Sequence, residues 1–128
     1  MTDPITAEAE QYPAANGAVL QHVSNALVAL HKEQFGRGPT RAQTHFAGAD
    51  TIVCVLDDAQ VPAERTMVET GELQSVRESR MCLQVATADK FIAAIEAITG
   101  RTVRAFASAS DPDQGVVMEN FVLVPEQS

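Results

Sequence analysis

The apolar residues near the N-terminus repeat with the period of an α-helix. Four of them recur at intervals of three and four positions: Leu20, Val23, Leu27 and Leu30. This spacing places them on one face of an amphipathic helix. Asn16 is a candidate N-cap, and Gly36, which is followed by Pro39, is a candidate C-cap. The pattern therefore predicts a first helix between these residues, with a disordered tail over residues 1–12.

The pattern then changes to that of β-strands. Residues 41–47 alternate loosely between apolar and polar, and Gly-Ala-Asp at 48–50 is typical of a turn. Residues 51–56 are mostly β-branched and are apolar on both faces. We expect a β-hairpin whose second strand lies in the centre of a sheet.

Helical signals return after Asp57 and Asp58. Pro62 stands where a first helical residue would, which predicts a short helix to about residue 70 that Gly71 interrupts. A longer helix is predicted over residues 72–85. Thr87 can then cap a further segment, which Gly100 closes. The core stripe of that segment consists of Phe91, Ile92, Ile95 and Ile98.

The last two segments predict a second hairpin, with strands at residues 103–108 and 116–124. Asp-Pro-Asp-Gln-Gly at 111–115 connects them and is rich in turn formers. The whole order, α-β-β-α-α-β-β, predicts the α+β class, with an antiparallel or mixed four-stranded sheet and helices packed on one face. Residues 13–128 are long enough for a single domain.

The strand at residues 51–56 and the last strand carry apolar residues on both faces, which one layer of helices cannot cover. Strands of this kind are usually covered twice. We therefore predict that a second copy of the chain covers the other face of the sheet, as a homodimer.

The charge of the chain limits its partners. Seventeen acidic residues exceed nine basic ones, and no basic residues cluster, so neither nucleic acid nor an anionic membrane surface is an expected partner. The longest apolar run covers residues 52–56, far short of the roughly 20 that a membrane span needs. The first 11 residues lack the basic and apolar regions of a secretory signal. We expect a cytoplasmic protein that reaches the inner face of the membrane only through a protein partner.

No catalytic, metal or cofactor site is predicted. Cys54 and Cys82 are isolated, and His22 and His31 lie on opposite sides of their helix. Ser108 lacks the strand-turn-helix setting of a nucleophilic serine. We therefore expect a non-enzyme.

Two arginines are candidates for specific contacts. Arg37 lies in a Gly-rich loop that follows a helix instead of preceding one, so the loop is not a phosphate cradle and Arg37 is expected to pair with the last carbonyls of that helix. Arg80 lies within the apolar arc of its helix and should point inward. It must then meet an acidic residue, a set of carbonyls or a bound anion, the last together with Arg77 and Gln84.

The order of five segments resembles the MpsC-like family of small bacterial proteins, named for a sodium-translocating, membrane-potential-generating system. The segments are GRGPT at 36–40, the strand ending at Leu56, VPAERT at 61–66, VRESR at 76–80 and IEAITGR at 95–101. The chain departs from the family at Gln60-Val61, where leucine followed by threonine or serine is common, and near Cys82, where an aromatic residue is common.

The resemblance implies association with membrane protein subunits that translocate cations and support bicarbonate uptake. It implies no catalytic residue and no cofactor. We therefore expect a non-catalytic accessory or regulatory component of such a system. The alternative is a dimeric small-anion sensor that uses the inward-facing Arg80.

Overall fold

The computed structural model describes residues 14–126, with side chains from Asn16 onward; the tail expected at residues 1–12 lies outside this range. The elements are α1 (Ala14–Phe35), β1 (Arg41–Phe46), β2 (Thr51–Asp57), α2 (Pro62–Glu69), α3 (Leu73–Thr99), β3 (Val103–Asp111) and β4 (Val116–Leu123). The predicted α+β class and element order are confirmed.

The four strands form one sheet in the order β1-β2-β4-β3, and every neighbouring pair is antiparallel. Of the two sheet types left open by the sequence, the antiparallel one is observed. The strand at residues 51–57 has a partner on each side, so its predicted central position is confirmed. The second hairpin is also confirmed, although β3 extends to Asp111 and leaves a shorter connection.

The core lies on one face of the sheet. Buried and half-buried residues alternate along β2, so that Ile52, Cys54 and Leu56 face inward. Their partners across β4 are buried too: Phe121, Glu119 and Val117. Side chains of α1 and α3 cover this face, with Val23, Leu27, Phe91 and Ile95 at its centre. The helices thus bury one face of the central strands and leave the other without a helical layer in the described chain.

Two predicted helix boundaries are wrong. Asn16 is not an N-cap, because the helix is already formed at Ala14. Thr87 is not an N-cap either, because α3 continues through it for 27 residues. Its hydroxyl donates to the Leu83 carbonyl at 2.7 Å, so threonine bonds to its own helix instead of starting a new one.

The glycine boundaries are correct. Gly36 has φ 82° and its N–H donates to the Lys32 carbonyl at 2.8 Å, which ends α1. Gly100 has φ 70° and closes α3 in the same way through the Glu96 carbonyl. These left-handed conformations explain why glycine occupies both positions. Within residues 14–126, no helix combines the length and the apolar character that crossing a bilayer demands.

Candidate functional site

A cavity of about 340 Å³ lies between α1, α3 and the strands β3 and β4. Its wall contains two kinds of surface. One is apolar and mainly aromatic, formed by Phe35, Phe91 and Phe106. The other is polar and includes the three residues proposed for an anion site, Arg77, Arg80 and Gln84. The fold therefore brings the candidate residues to one place.

A buried hydrogen-bonded group forms part of the polar wall. His31 follows the buried Leu27 by four residues, so helical periodicity directs it toward the sheet. Glu119 alternates with two buried residues of β4 and faces inward for that reason. Its Oε1 lies 3.1 Å from His31 Nε2 and accepts a hydrogen bond from the Ser108 hydroxyl at 3.0 Å. Both His31 and Glu119 are almost fully buried.

Two polar atoms of this group have no partner within the described chain. They are His31 Nδ1 and Glu119 Oε2, and both are buried. Buried polar atoms nearly always have a hydrogen-bond partner, and an unsatisfied one costs about 1–3 kcal/mol. Because neither atom is accessible to solvent, both lie beneath the surface of the cavity wall.

Stacked aromatic rings form the apolar wall. The His31 ring stacks on Phe35 and meets Phe91 edge-on, each with ring centroids 5.7 Å apart. Phe91 stacks on Phe106 at 5.7 Å, and Phe106 stacks on Phe121 at 4.8 Å. This continuous stack connects the cavity wall to the hydrophobic core, which contains Phe91 and Phe121.

Arg80 points inward, as predicted, and its partner is an acidic residue. Its Nε and Nη2 donate to the two carboxylate oxygens of Glu64 at 2.7 and 2.6 Å, and Nη2 also donates to the Ala59 carbonyl at 2.7 Å. The guanidinium carbon lies 4.0 Å from the centroid of the Phe35 ring. Burial raises the pKa of Glu64, but the hydrogen bonds from Arg80 and from the Val61 N–H outweigh it, so the pKa is lowered.

Gln84 is also engaged. In the amide orientation that satisfies both groups, its nitrogen donates to the Ser108 carbonyl at 3.2 Å and its oxygen accepts from the Ser108 N–H at 3.3 Å. Arg77 differs from both, because its side chain is exposed and makes no hydrogen bond or ion pair with any residue of the described chain. Of the three candidates, only Arg77 presents an unengaged polar group at the cavity.

Arg37 lies outside the cavity wall and does not pair with the end of α1 as expected. Its Nη2 donates to Asp58 Oδ2 at 2.8 Å, and its Nη1 donates to the Gln60 carbonyl at 2.5 Å. Asp58 has φ 53°, which turns the chain after β2 and presents its carboxylate to the loop. The hydrogen bond from Arg37 lowers the pKa of Asp58 and raises that of Arg37 itself. Arg37 thus joins two loops.

The remaining candidates for chemistry do not form a cluster. No three histidine, cysteine or acidic side chains between residues 14 and 126 are arranged to hold a metal ion. Cys54 is buried in the core, and burial raises the pKa of its thiol. Cys82 is exposed. His22 and His45 are exposed as well.

Sequence reasoning missed the role of Glu119. Its partner His31 lies 88 positions away, and local patterns carry no information about contacts at that separation. One signal was present, since Glu119 occupies an inward position between apolar residues of the last strand. An acidic residue at such a position is rarely buried without a partner.

Comparison with known proteins gives one match. No curated protein and no solved structure matches the chain. Residues 15–124, which include every element from α1 to β4 apart from Ala14, match the family described as Na⁺-translocating membrane potential-generating system (MpsC). With most of its length matched, this chain belongs to the MpsC family.

Proposed function

We propose that the protein is a non-catalytic accessory or regulatory component of a membrane system that translocates cations and supports bicarbonate uptake. It acts at the cytoplasmic face of the membrane by binding a protein subunit of that system. Membership of the MpsC family over residues 15–124 carries this proposal. The formal net charge of −8, without a basic cluster, favours a protein partner over an anionic lipid surface.

The exposed face of α3 supports a docking role. Met81 is 65% exposed and Val85 is 74% exposed, and the two lie one helical turn apart. Large apolar side chains grouped on a surface are typical of protein interaction sites. We infer that this face contacts an apolar surface of a membrane-system subunit.

Affinity capture from gently solubilised membranes of the native host tests this role. The parent chain should enrich an integral membrane subunit, and Val85→Lys should lose it. Ala93→Lys, which changes another exposed position of α3 to lysine, is the matched control and should retain capture. The proposal fails if the parent enriches no membrane subunit, or if Val85→Lys and Ala93→Lys capture it equally.

We also propose that the chain forms a homodimer through the face of the sheet that the helices leave open. Met118 is 38% exposed on this face, and the half-buried Val53, Val55 and Val122 surround it. A second copy would remove these apolar side chains from water. Light scattering at micromolar concentration should give a dimer for the parent and for Val85→Lys, and a monomer for Met118→Lys. A monomeric parent would contradict the proposal.

A second candidate function is the binding of a small anion at the cavity. The observation that favours it is the unengaged guanidinium of Arg77, whereas Arg80 and Gln84 have partners within the chain. Calorimetric titration with bicarbonate and phosphate tests it on the parent, on Arg77→Gln and on Arg104→Gln. Arg104 is an exposed arginine that is absent from the cavity wall, so its loss is the control for net charge. Binding that Arg77→Gln does not weaken would argue against this function.

A further inference from the structure

The size of the cavity indicates an occupant larger than a few water molecules. Protein interiors are close-packed, and sites for small organic ligands begin at about 300 Å³. At about 340 Å³ the cavity lies at the lower end of that range, which suits a ligand with one ring and a short substituent.

The cavity wall has an apolar part and a polar part, and an inorganic anion would match only the polar part. Phe35, Phe91 and Phe106 contribute apolar surface to the wall, and Leu83 adds to it from α3. A small inorganic anion needs several hydrogen-bond donors around it, because removing an ion from water is costly. Among the basic residues of the wall, Arg80 already has both of its described acceptors, Glu64 and Ala59, and Arg77 alone is unengaged. One free guanidinium beside aromatic rings fits an ion that carries its own apolar body.

We propose that the cavity binds a small amphipathic carboxylate, with its ring or short alkyl chain against the phenylalanines and its carboxylate on Arg77. Arginine is suited to this task because its planar guanidinium can donate two parallel hydrogen bonds to one carboxylate. The inference rests on the anion-binding function proposed above and names the class of ligand that this site accepts.

The three histidines allow binding to be located by nuclear magnetic resonance. His31 lies in the cavity wall, whereas His22 and His45 are exposed elsewhere on the chain. Benzoate and hexanoate, titrated into the full chain, should shift the imidazole resonances of His31 and leave those of His22 and His45 unchanged. Benzamide, which has the same shape as benzoate without the charge, should bind more weakly.

Two variants test the two halves of the site. Arg77→Gln should weaken benzoate binding about tenfold, as loss of a hydrogen bond to a charged group does, while Arg104→Gln should not change it. Leu83→Trp places a larger side chain in the cavity and should abolish binding. Retained dispersion of the His22 and His45 resonances and an unchanged circular dichroism spectrum would show that the variant is folded.

The outcomes separate this inference from the function on which it rests. If bicarbonate or phosphate binds through Arg77 and the organic carboxylates do not, the inference is overturned and anion binding stands. If none of the four probes binds, both are overturned. Benzoate binding that is equal in the parent and in Leu83→Trp, or that shifts His22 or His45 instead of His31, also overturns the inference.

Discussion

Arg80 and Glu64 form an ion pair, and we expect its loss to lower the stability of the protein more than the other single substitutions that we propose. Their side chains are only 9% and 12% exposed. Arg80→Ala would leave the Glu64 carboxylate partly buried with only the Val61 N–H as a partner. We expect the free energy of unfolding to fall by about 3–5 kcal/mol. Urea denaturation measures it, and the exposed Arg104→Ala should change it by less than about 0.5 kcal/mol.

The same pair makes stability depend on pH. Because the pKa of Glu64 is lower in the folded chain than the ordinary value of 4.5, its contribution to stability is complete above that value. The contribution is lost as the pH falls through the lowered pKa. The midpoint of urea unfolding should therefore decrease below pH 4.5 more steeply in the parent than in Glu64→Gln. Parallel curves for the two proteins would contradict this explanation.

His31 and Glu119 should behave as a coupled pair. His31→Leu leaves the buried carboxylate with one partner fewer, and Glu119→Met leaves the imidazole without one; each should lower the free energy of unfolding by about 1–3 kcal/mol. The double variant should lose less than the sum, because neither polar group is left unsatisfied. A double-mutant cycle measures the coupling. Strictly additive losses would show that the two residues do not act together.

At the scale of elements, the strand and turn patterns predicted most of the fold. The local sequence is enough to predict the strands that begin at Thr51 and Val116, because both contain β-branched residues and are flanked by turn formers. The predicted helix start at Thr87 is wrong because threonine is not only a good N-cap. It is also an acceptable helix residue when its hydroxyl donates to a carbonyl of the preceding turn. Packing of α3 against α1 and the sheet, which no local pattern contains, decides between the two.

Replacement by alanine should change the stability of the protein in opposite directions at two glycines, one at the end of a helix and one inside a helix. Gly100 closes α3 at φ 70°, so Gly100→Ala forces a side chain into a left-handed conformation and should cost about 1–2 kcal/mol. Gly17 lies within α1, and a Cβ there would meet no atom within 4 Å. Gly17→Ala should therefore raise the free energy of unfolding by about 0.5–1 kcal/mol. Thermal or urea denaturation measures the free energy of unfolding of both variants. Changes of the same sign would contradict this prediction.

At the scale of the whole molecule, the candidate site was only partly predictable. The inward direction of Arg80 follows from helical periodicity, which depends on its own helix alone. Its choice of Glu64 depends on how α2 packs against α3, and the burial of His31 with Glu119 depends on contacts between the two ends of the chain. The sequence therefore identifies a buried side chain that needs a partner, but it does not identify the cavity beside it.

The amide of Gln84 also affects whether further copies of the chain can add to the edge of the sheet. It occupies the outward N–H and carbonyl of Ser108 on the edge strand β3, so that a new strand cannot pair there without displacing it. Gln84 thus closes the sheet at Ser108 to strand-by-strand addition of further copies along the β3 edge.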